Sequence, residues 1–221
     1  MWTLPRGCGV CGTPHQPCGS HRCPGFMIPV VHRGILGGTF DPPHLAHLVA
    51  GETAFRDLGL DIVTFIPTGA PWQKQGREVT PAVHRWEMVL RAIEGVDYFE
   101  ADDREIRRSG WTYTIDTLNT FLADEQLTLI MGADTAAGLP TWDRYEPVLE
   151  RADIAVYPRP GTTRHAVEAA LADADFVWLD AAELDIEATD LRAHARAEGS
   201  VRFLVRDAVW RYIQAHNVYE D

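Results

Sequence analysis

The chain has 221 residues, of which 46% are hydrophobic and 24% are charged. This balance is typical of one globular α/β domain and excludes a disordered, fibrous or membrane protein. The net charge of −12 argues against a broad nucleic-acid-binding surface, although it leaves room for a local basic pocket that binds a small anion. No run reaches the roughly 18 apolar residues of a membrane span. The first 30 residues lack the apolar core of a signal peptide, so we expect a cytoplasmic protein without a membrane partner.

The N-terminal segment differs in composition from the rest of the chain. It contains all four cysteines: Cys8, Cys11, Cys18 and Cys23. His15 and His21 lie between them. Because a cytosolic protein keeps its thiols reduced, this Cys/His cluster predicts a small structural Zn²⁺ site in preference to disulfides. We therefore separate a Cys-rich extension, residues 1–32, from a domain over residues 33–221.

The extension is also basic. Residues 1–33 contain three arginines and no acid, so the remaining residues carry a net charge of −15. A zinc-bound basic tail is compatible with contact to a nucleic acid, a partner protein or another subunit. The alternative is that Met27 is the true start and the residues before it are a misassigned or disordered extension.

From residue 33 onward, short β-rich runs alternate with segments of helical periodicity. The predicted strands lie within 33–40, 61–67, 97–103, 127–134, 153–161 and 175–180. The predicted helices are 44–59, closed by Gly59, and then 80–94, 112–125, 145–152, 163–174 and two within 189–216. Such alternation predicts an open parallel sheet with helices on both faces and ligands at the carboxyl ends of the strands.

The stretch GGTFDPPHLAH, residues 37–47, combines features of an anion site. Gly37 and Gly38 follow the first strand, where a turn without Cβ atoms lets a ligand approach the backbone. Pro42–Pro43 suits a helix entry, so we expect the helix to begin close to His44. His44 and His47 then share one face of the first turns, where free N–H groups and the helix dipole favour a phosphate.

A lone H-x-x-H by itself favours ordinary surface or core histidines, but the whole string is more specific. Neither G-x-G-x-x-G nor the P-loop pattern occurs. The stretch resembles the GGTFDPxHxGH string of the nucleotidyltransferase superfamily, and within it the bacterial nicotinate-mononucleotide adenylyltransferases, which usually have glycine where this chain has Ala46. The resemblance extends over residues 33–220 and implies a Rossmann-like open parallel sheet of the nucleotidyltransferase type.

Three further motifs extend the resemblance. PWQKQG, residues 71–76, looks like the family's Pro-rich loop and implies that Lys74 holds a phosphate, although a solvated loop lysine is the alternative interpretation. WTYTIDTL, residues 111–118, looks like the helix entry near which the pyridine binds, and Thr114 is equally suited to cap that helix. The match over 132–161 implies stacking of the nicotinate ring on Trp142, for which a core position is the alternative.

The last motif departs from the family pattern I-S-S-T-x-x-R. The chain has IEATDLR at 186–192, so Glu187 and Ala188 replace the two serines. A helix beginning at Thr189 would still present its N–H groups and Arg192 to a triphosphate. Glu187 is expected to weaken ATP binding if it faces the site and to have no effect if it faces solvent.

The resemblance implies a set of roles for individual residues. The residues implied to be catalytic are His44, His47, Lys74 and Arg192. Those implied to contact ATP are Gly37, Gly38, Thr39, Phe40, His44, His47, Gly132, Asp134, Thr189 and Arg192. Those implied to contact the mononucleotide are Thr39, Lys74, Thr112, Tyr113, Thr114, Trp142 and Arg159.

The function implied is transfer of the adenylyl group of ATP to nicotinate mononucleotide, giving deamido-NAD and pyrophosphate, with Mg²⁺ arriving on ATP. The alternatives are the same reaction on nicotinamide mononucleotide, or a catalytically weak nucleotide-binding regulator, which the altered residues at 187 and 188 would allow. A zinc-dependent nucleic-acid module rests on the tail alone and conflicts with the acidic body. A homo-oligomer is compatible with the sequence.

Overall fold

The computed structural model describes residues 30–69, 79–197 and 199–220. Six parallel strands form one sheet in the order β3-β2-β1-β4-β5-β6. The strands are β1 His32–Gly38, β2 Ile62–Pro67, β3 Phe99–Ala101, β4 Gln126–Gly132, β5 Asp153–Tyr157 and β6 Val177–Trp178. The predicted open parallel sheet is therefore confirmed.

Nine α-helices connect or follow these strands in the described ranges. They are α1 Leu45–Leu58, α2 Ala82–Ile93, α3 Arg104–Arg107, α4 Thr114–Leu118, α5 Ala133–Ala137, α6 Tyr145–Arg151, α7 Arg164–Ala170, α8 Ala188–Arg196 and α9 Asp207–Ala215. The predicted end of α1 is confirmed, because Gly59 adopts the left-handed conformation with φ 62° and caps the helix.

Helices cover both faces of the sheet, and each face has its own hydrophobic core. On one face, α1, α2, α8 and α9 bury apolar side chains such as Ala54, Met88, Leu191 and Val209. On the other, α4 to α7 do the same with side chains such as Leu118 and those of Ala136, Val148 and Val167. The resulting three layers leave the carboxyl edge of the sheet open for a ligand.

Several predicted elements differ in extent. The helix predicted over 112–125 ends at Leu118, where Asn119 and Thr120 follow, and the hydroxyl of Thr120 donates to the backbone oxygen of Thr117. Residues with short polar side chains compete for backbone hydrogen bonds in this way and shorten helices. The one-turn helices α3 and α5 escape prediction because so few residues carry no periodicity.

The order of the sheet reverses direction at its centre. The chain runs from β1 outward to β2 and β3, then returns to place β4 on the other side of β1. Crossovers that leave β1 and β4 in opposite directions open a crevice between their carboxyl ends, where open α/β sheets bind ligands. Within the described ranges, no helix has the length and apolar character needed to cross a membrane.

Candidate active site

A cavity of about 490 Å³ opens at this crevice. The last residues of β1, β4 and β5, which are Gly38, Gly132 and Tyr157, all line it. Its volume falls within the range of about 300–1,000 Å³ that small-molecule sites occupy. The cavity brings together most of the residues to which the sequence assigns a binding role.

The glycine turn, residues 37–41, forms one wall of the cavity. A Cβ added to Gly37 would meet no atom within 4 Å, so the backbone there is accessible, as predicted. Phe40 has a φ of 51° and a side chain that is 1% exposed, packed beside Phe65 and His47. A bulky residue with positive φ is strained, so its surroundings must hold this turn in place.

The two histidines lie side by side at the start of α1. His44 is the N-cap residue, and its ring stacks on that of His47 with centroids 3.8 Å apart. The backbone N–H of His44 donates to Nδ1 of His47 over 3.2 Å. Because Nδ1 of His47 accepts this bond, the neutral ring carries its proton on Nε2 and donates from there.

His44 is held neutral by its surroundings. It is 4% exposed, and burial, together with the positive charge of Arg159, lowers its pKa to about 3. None of the described residues hydrogen-bonds its Nδ1. A neutral imidazole donates from one nitrogen, so His44 offers a single directed hydrogen bond at physiological pH, not a cation.

Helix α8 presents its N-terminus to the same cavity. It begins at Ala188, one residue before the predicted start, and Glu187 is its N-cap residue. Glu187, Ala188 and Thr189 all line the cavity. The side chain of Glu187 is exposed and makes no capping hydrogen bond. A carboxylate therefore lies at the rim of the cavity where the family pattern has a serine.

Arg192 lies behind the glycine turn. Its Nη1 donates to the backbone oxygen of Asp41 over 2.7 Å, and its Nη2 donates to Oγ1 of Thr189 over 3.3 Å. It does not belong to the described residues that line the cavity. In this conformation Arg192 braces the turn, and its contact with a triphosphate stays a prediction.

The predicted adenosine contacts Gly132 and Asp134 lie at the end of β4 and the start of α5, close to Arg159, which is predicted to contact the mononucleotide. A Cβ on Gly132 would come within 2.6 Å of Oδ1 of Asp134 and 2.9 Å of Cγ of Arg159, so this close approach requires glycine. Arg159 also donates from Nη1 to the backbone oxygen of Ile186 over 3.2 Å. Its Nε lies 3.9 Å from Oδ1 of Asp134, and its positive charge acts on His44.

The residues with predicted pyridine contacts line another part of the cavity. They are Thr112, Tyr113, Thr114 and Trp142. Thr112 is 5% exposed, and no described residue hydrogen-bonds its Oγ1. Trp142 lines the cavity and also packs against the apolar core under α4 to α7. It therefore contributes to core packing, and its stacking on the nicotinate ring stays a prediction.

An ion pair joins the two chain segments that carry these predicted pyridine contacts. Arg144 makes a bidentate contact to Asp116, with N–O distances of 2.8 and 3.1 Å. The same guanidinium lies 5.0 Å from the ring centroid of Tyr113. Hydrogen bonding to Arg144 holds the pKa of Asp116 below its ordinary value. The pair links α4 to the loop that carries Trp142.

Two functional candidates escape the sequence analysis. Glu105 lines the cavity and is 8% exposed, with Oε1 accepting a hydrogen bond from Thr117 over 2.7 Å. Burial raises the pKa of Glu105. Arg85 is 1% exposed beneath the glycine turn. Its sequence signal is a charge on the apolar face of α2, in helical register with Met88 and Val89.

Two sets of predicted residues lie outside the described ranges. They are Lys74 and the four cysteines Cys8, Cys11, Cys18 and Cys23. Within the described ranges, no group of three or more His, Cys, Asp or Glu side chains is arranged to hold a metal ion.

Comparison with known proteins agrees with this geometry. A family model described as cytidylyltransferase-like matches residues 35–194. A protein of Dehalococcoides mccartyi named a probable nicotinate-nucleotide adenylyltransferase is 38% identical over an alignment of 196 residues, and the match covers 84% of this chain and 96% of the relative. The chain belongs to the nicotinate-nucleotide adenylyltransferase family. A relative of the same name from Pseudomonas aeruginosa is 38% identical over 208 residues, again with 84% and 96% coverage.

Solved structures show the same fold. A nicotinic acid mononucleotide adenylyltransferase of Plasmodium falciparum, complexed with NaAD, superposes with a TM-score of 0.71 at 17% identity, covering 86% of this chain and 97% of that one. The same protein complexed with APC gives a TM-score of 0.69. As a member of the nicotinate-nucleotide adenylyltransferase family, this chain is a nucleotidyltransferase.

Proposed function

We propose that this chain transfers the adenylyl group of ATP to nicotinate mononucleotide, which yields deamido-NAD and pyrophosphate in NAD biosynthesis. The observation that carries the proposal is the stacked pair His44 and His47 beside the open backbone of the glycine turn. Both lie in one cavity with the predicted pyridine contacts Thr112 and Trp142. A site for two nucleotides needs this combination of a central phosphate site and flanking base sites.

The reaction needs no side-chain nucleophile. The phosphate of the mononucleotide is ionised at neutral pH, and one of its oxygens attacks the α-phosphorus of ATP in line with the departing pyrophosphate. Catalysis then consists of positioning both phosphates and stabilising the charge that develops on the α-phosphate and the leaving group. The protein supplies hydrogen-bond donors for this purpose.

We assign these donors to the start of α1 and the glycine turn. His44 donates as a neutral imidazole, since burial keeps its pKa at about 3. His47 donates from Nε2, since its Nδ1 accepts the N–H of His44. Neutral donors aimed at a developing charge need not change protonation during the reaction, so the site keeps the same donors from substrate to transition state. Lys74 is a further donor in the proposal.

The proposed positions of the adenine and pyridine bases follow from the same arrangement of residues. We place the adenosine beside Gly132 and Asp134, and the pyridine beside Thr112 and Trp142. The ring of Trp142 offers a stacking face, and the unpaired hydroxyl of Thr112 offers one hydrogen bond to the mononucleotide. The ion pair between Arg144 and Asp116 links the segments that carry Thr112 and Trp142.

Mg²⁺ enters with ATP in this proposal. A hard, strongly hydrated cation is held mainly by the phosphate oxygens and water, and it neutralises charge on the leaving pyrophosphate. The chain's own residues position the phosphates around it.

The test is a substrate comparison on the purified full-length chain. ATP and Mg²⁺ are mixed with nicotinate mononucleotide or, separately, with nicotinamide mononucleotide, and dinucleotide and pyrophosphate are both quantified. A higher kcat/KM for the nicotinate form supports the proposal. A higher value for the nicotinamide form identifies the alternative substrate, and ATP binding without product from either identifies a nucleotide-binding regulator.

A further inference from the structure

Arg85 is the most deeply buried cation in the described part of the chain, and it holds three separate backbone segments. Its Nη1 donates to the backbone oxygen of Thr39 over 2.9 Å. Its Nε donates to the oxygen of Thr80 over 3.0 Å, and its Nη2 to that of Gly69 over 3.2 Å. One guanidinium therefore ties the glycine turn to both ends of the β2–α2 connection.

Burying this charge opposes folding unless the contacts compensate for the lost hydration. Burial lowers the pKa of the Arg85 guanidinium, and the carboxylate of Asp41 acts in the opposite direction. That carboxylate is itself 3% exposed and accepts hydrogen bonds from the N–H of Thr80 and the hydroxyl of Tyr219. An aliphatic side chain at position 85 would fill the same core space, so hydrophobic packing alone does not account for an arginine here.

The hydrogen bond from Arg85 to the Thr39 oxygen sets the direction in which the N–H of Phe40 points. The Thr39–Phe40 peptide is trans, and a trans peptide points its C=O and N–H in opposite directions. With the Thr39 oxygen held by Arg85 beneath the turn, the N–H of Phe40 points away from Arg85. No described residue accepts a hydrogen bond from this N–H, and Phe40 lines the cavity.

A second bond acts on the preceding peptide in the same way. The oxygen of Gly38 accepts a hydrogen bond from the N–H of Thr68 over 2.8 Å. Two successive carbonyl oxygens of the turn thus accept hydrogen bonds on the side that faces the β2–α2 connection. Successive N–H groups beside a residue in the left-handed region, as Phe40 is, form a concavity that binds anions.

We propose that Arg85 is a positioning residue for adenylyl transfer, whose guanidinium holds the Thr39–Phe40 peptide so that the N–H of Phe40 faces the phosphates of ATP. The inference rests on the proposed function for the identity of the ligand. Arg85 does not touch the ligand itself, because it lies beneath the turn with its donors directed to backbone oxygens. Phe40 is in a strained left-handed conformation, which persists only where the surrounding structure holds it, and Arg85 supplies such a contact.

The first test replaces Arg85 and measures kinetics together with stability. Arg85→Met keeps an unbranched apolar stem and removes all three bonds, and Arg85→Lys keeps the charge beside Asp41 but loses the planar fork. We expect kcat to fall about 10- to 100-fold in Arg85→Met, as for a small displacement of reacting groups, with a smaller loss in Arg85→Lys. ATP affinity, measured by calorimetry without the mononucleotide, should weaken in the same order.

The matched control is Arg206, which donates to the backbone oxygens of Ala92 and Glu94 at the far end of α2. Arg206→Met removes a comparable set of carbonyl contacts and should lower the melting temperature while leaving kcat within about twofold. Wild-type kcat in both Arg85 variants, at temperatures where they are folded, would overturn the inference. So would an equal loss of kcat in Arg206→Met.

A measurement on the unmodified chain covers the case in which the Arg85 variants do not fold. Hydrogen exchange of the Phe40 N–H is followed by NMR with and without ATP and Mg²⁺. The inference requires exchange at Phe40 to slow when ATP binds, and unchanged exchange at saturating ATP would refute it. Wild-type turnover in the kinetic assay tests the proposed function separately, since ATP binding alone decides the NMR result.

Discussion

His44 is almost fully buried at the first turn of α1, yet the proposed mechanism asks it to meet a triphosphate. Its low pKa, about 3, resolves this conflict, because the neutral ring is buried at little electrostatic cost and still donates one hydrogen bond. His47 complements it by turning Nδ1 toward the backbone of His44. The pair therefore offers two oriented donors, and the charge of Arg159 nearby favours the neutral state of His44.

The first residue-scale prediction concerns these donors. His44→Ala and His47→Ala should each leave a folded protein and lower kcat by about 10²- to 10³-fold, the usual loss when a positioned transition-state donor is removed. His84→Ala is the control, because His84 bonds Tyr212 at the far side of α2. Near-normal kcat in both site variants would refute the phosphate-site assignment.

The pKa of His44 also predicts a dependence of stability on pH. Above about pH 6.5 the residue is neutral in both folded and unfolded states. As the pH falls from there toward 3, only the unfolded state takes up the proton, so unfolding becomes more favourable by up to about 1.4 kcal/mol per pH unit. His44→Gln lacks this contribution.

Urea unfolding of wild type and His44→Gln at pH 7, 6, 5 and 4 measures the effect. The wild type should lose stability relative to the variant as the pH falls. His165→Gln controls for the loss of a histidine, since that side chain is 92% exposed. A difference between wild type and His44→Gln that stays constant with pH would mean that His44 titrates alike in both states.

At the scale of single elements, α8 carries the clearest departure from the family pattern. Its N-cap is Glu187, which lines the cavity without capping the helix. The helix dipole tolerates an acid there, but the carboxylate opposes a bound triphosphate. Glu187→Ser should therefore lower the KM for ATP by up to about fivefold, the effect of roughly 1 kcal/mol from one solvent-exposed charge.

The control for this prediction is Glu183→Ser. Glu183 is an exposed acid in the same connection and does not belong to the described lining of the cavity. Both variants remove one negative charge, so the net charge of the protein changes by the same amount in each. An equal change in KM for ATP in the two variants would assign the effect to net charge and not to the position of Glu187.

The elements also show which features of the structure can be predicted from the sequence. Strands and helices with long, regular patterns, such as β4 and α1, are predictable because burial imposes their periodicity. The histidine pair was predictable because its spacing is local. The role of Arg85 was not, because it depends on Thr39, Gly69 and Thr80 meeting through tertiary contacts that no local pattern encodes. The contact of Arg192 with Asp41 spans 151 residues of sequence and was missed for the same reason.

At the scale of the whole molecule, the net charge of −12 opposes the approach of anionic substrates. The cavity compensates locally, since the donors of the glycine turn and α1 gather at the carboxyl edge of the sheet beside Arg159. The polarity of the sheet and helices thus favours the proposed phosphate site within an acidic molecule. ATP binding should depend on this local arrangement of donors more than on the net negative charge of the protein.

The Cys-rich extension gives a whole-chain prediction. Metal analysis of the purified full-length protein should find about one Zn²⁺ per chain, the stoichiometry of one four-ligand site. Cys8→Ser should lose the metal and keep adenylyl transfer, because the proposed catalytic residues lie beyond residue 33. Protein that contains no zinc, although purified without chelator, would refute the zinc site and leave the domain's function unaffected.

The most direct test of the central claim is to follow which bond of ATP breaks. The purified chain is incubated with nicotinate mononucleotide, Mg²⁺ and ATP labelled either at the α-phosphate or at the γ-phosphate, and the products are separated. The account predicts that the α-label appears in deamido-NAD and the γ-label in pyrophosphate, in equal amounts. A γ-label found in inorganic phosphate or on the mononucleotide would mean cleavage at a different bond and would contradict adenylyl transfer.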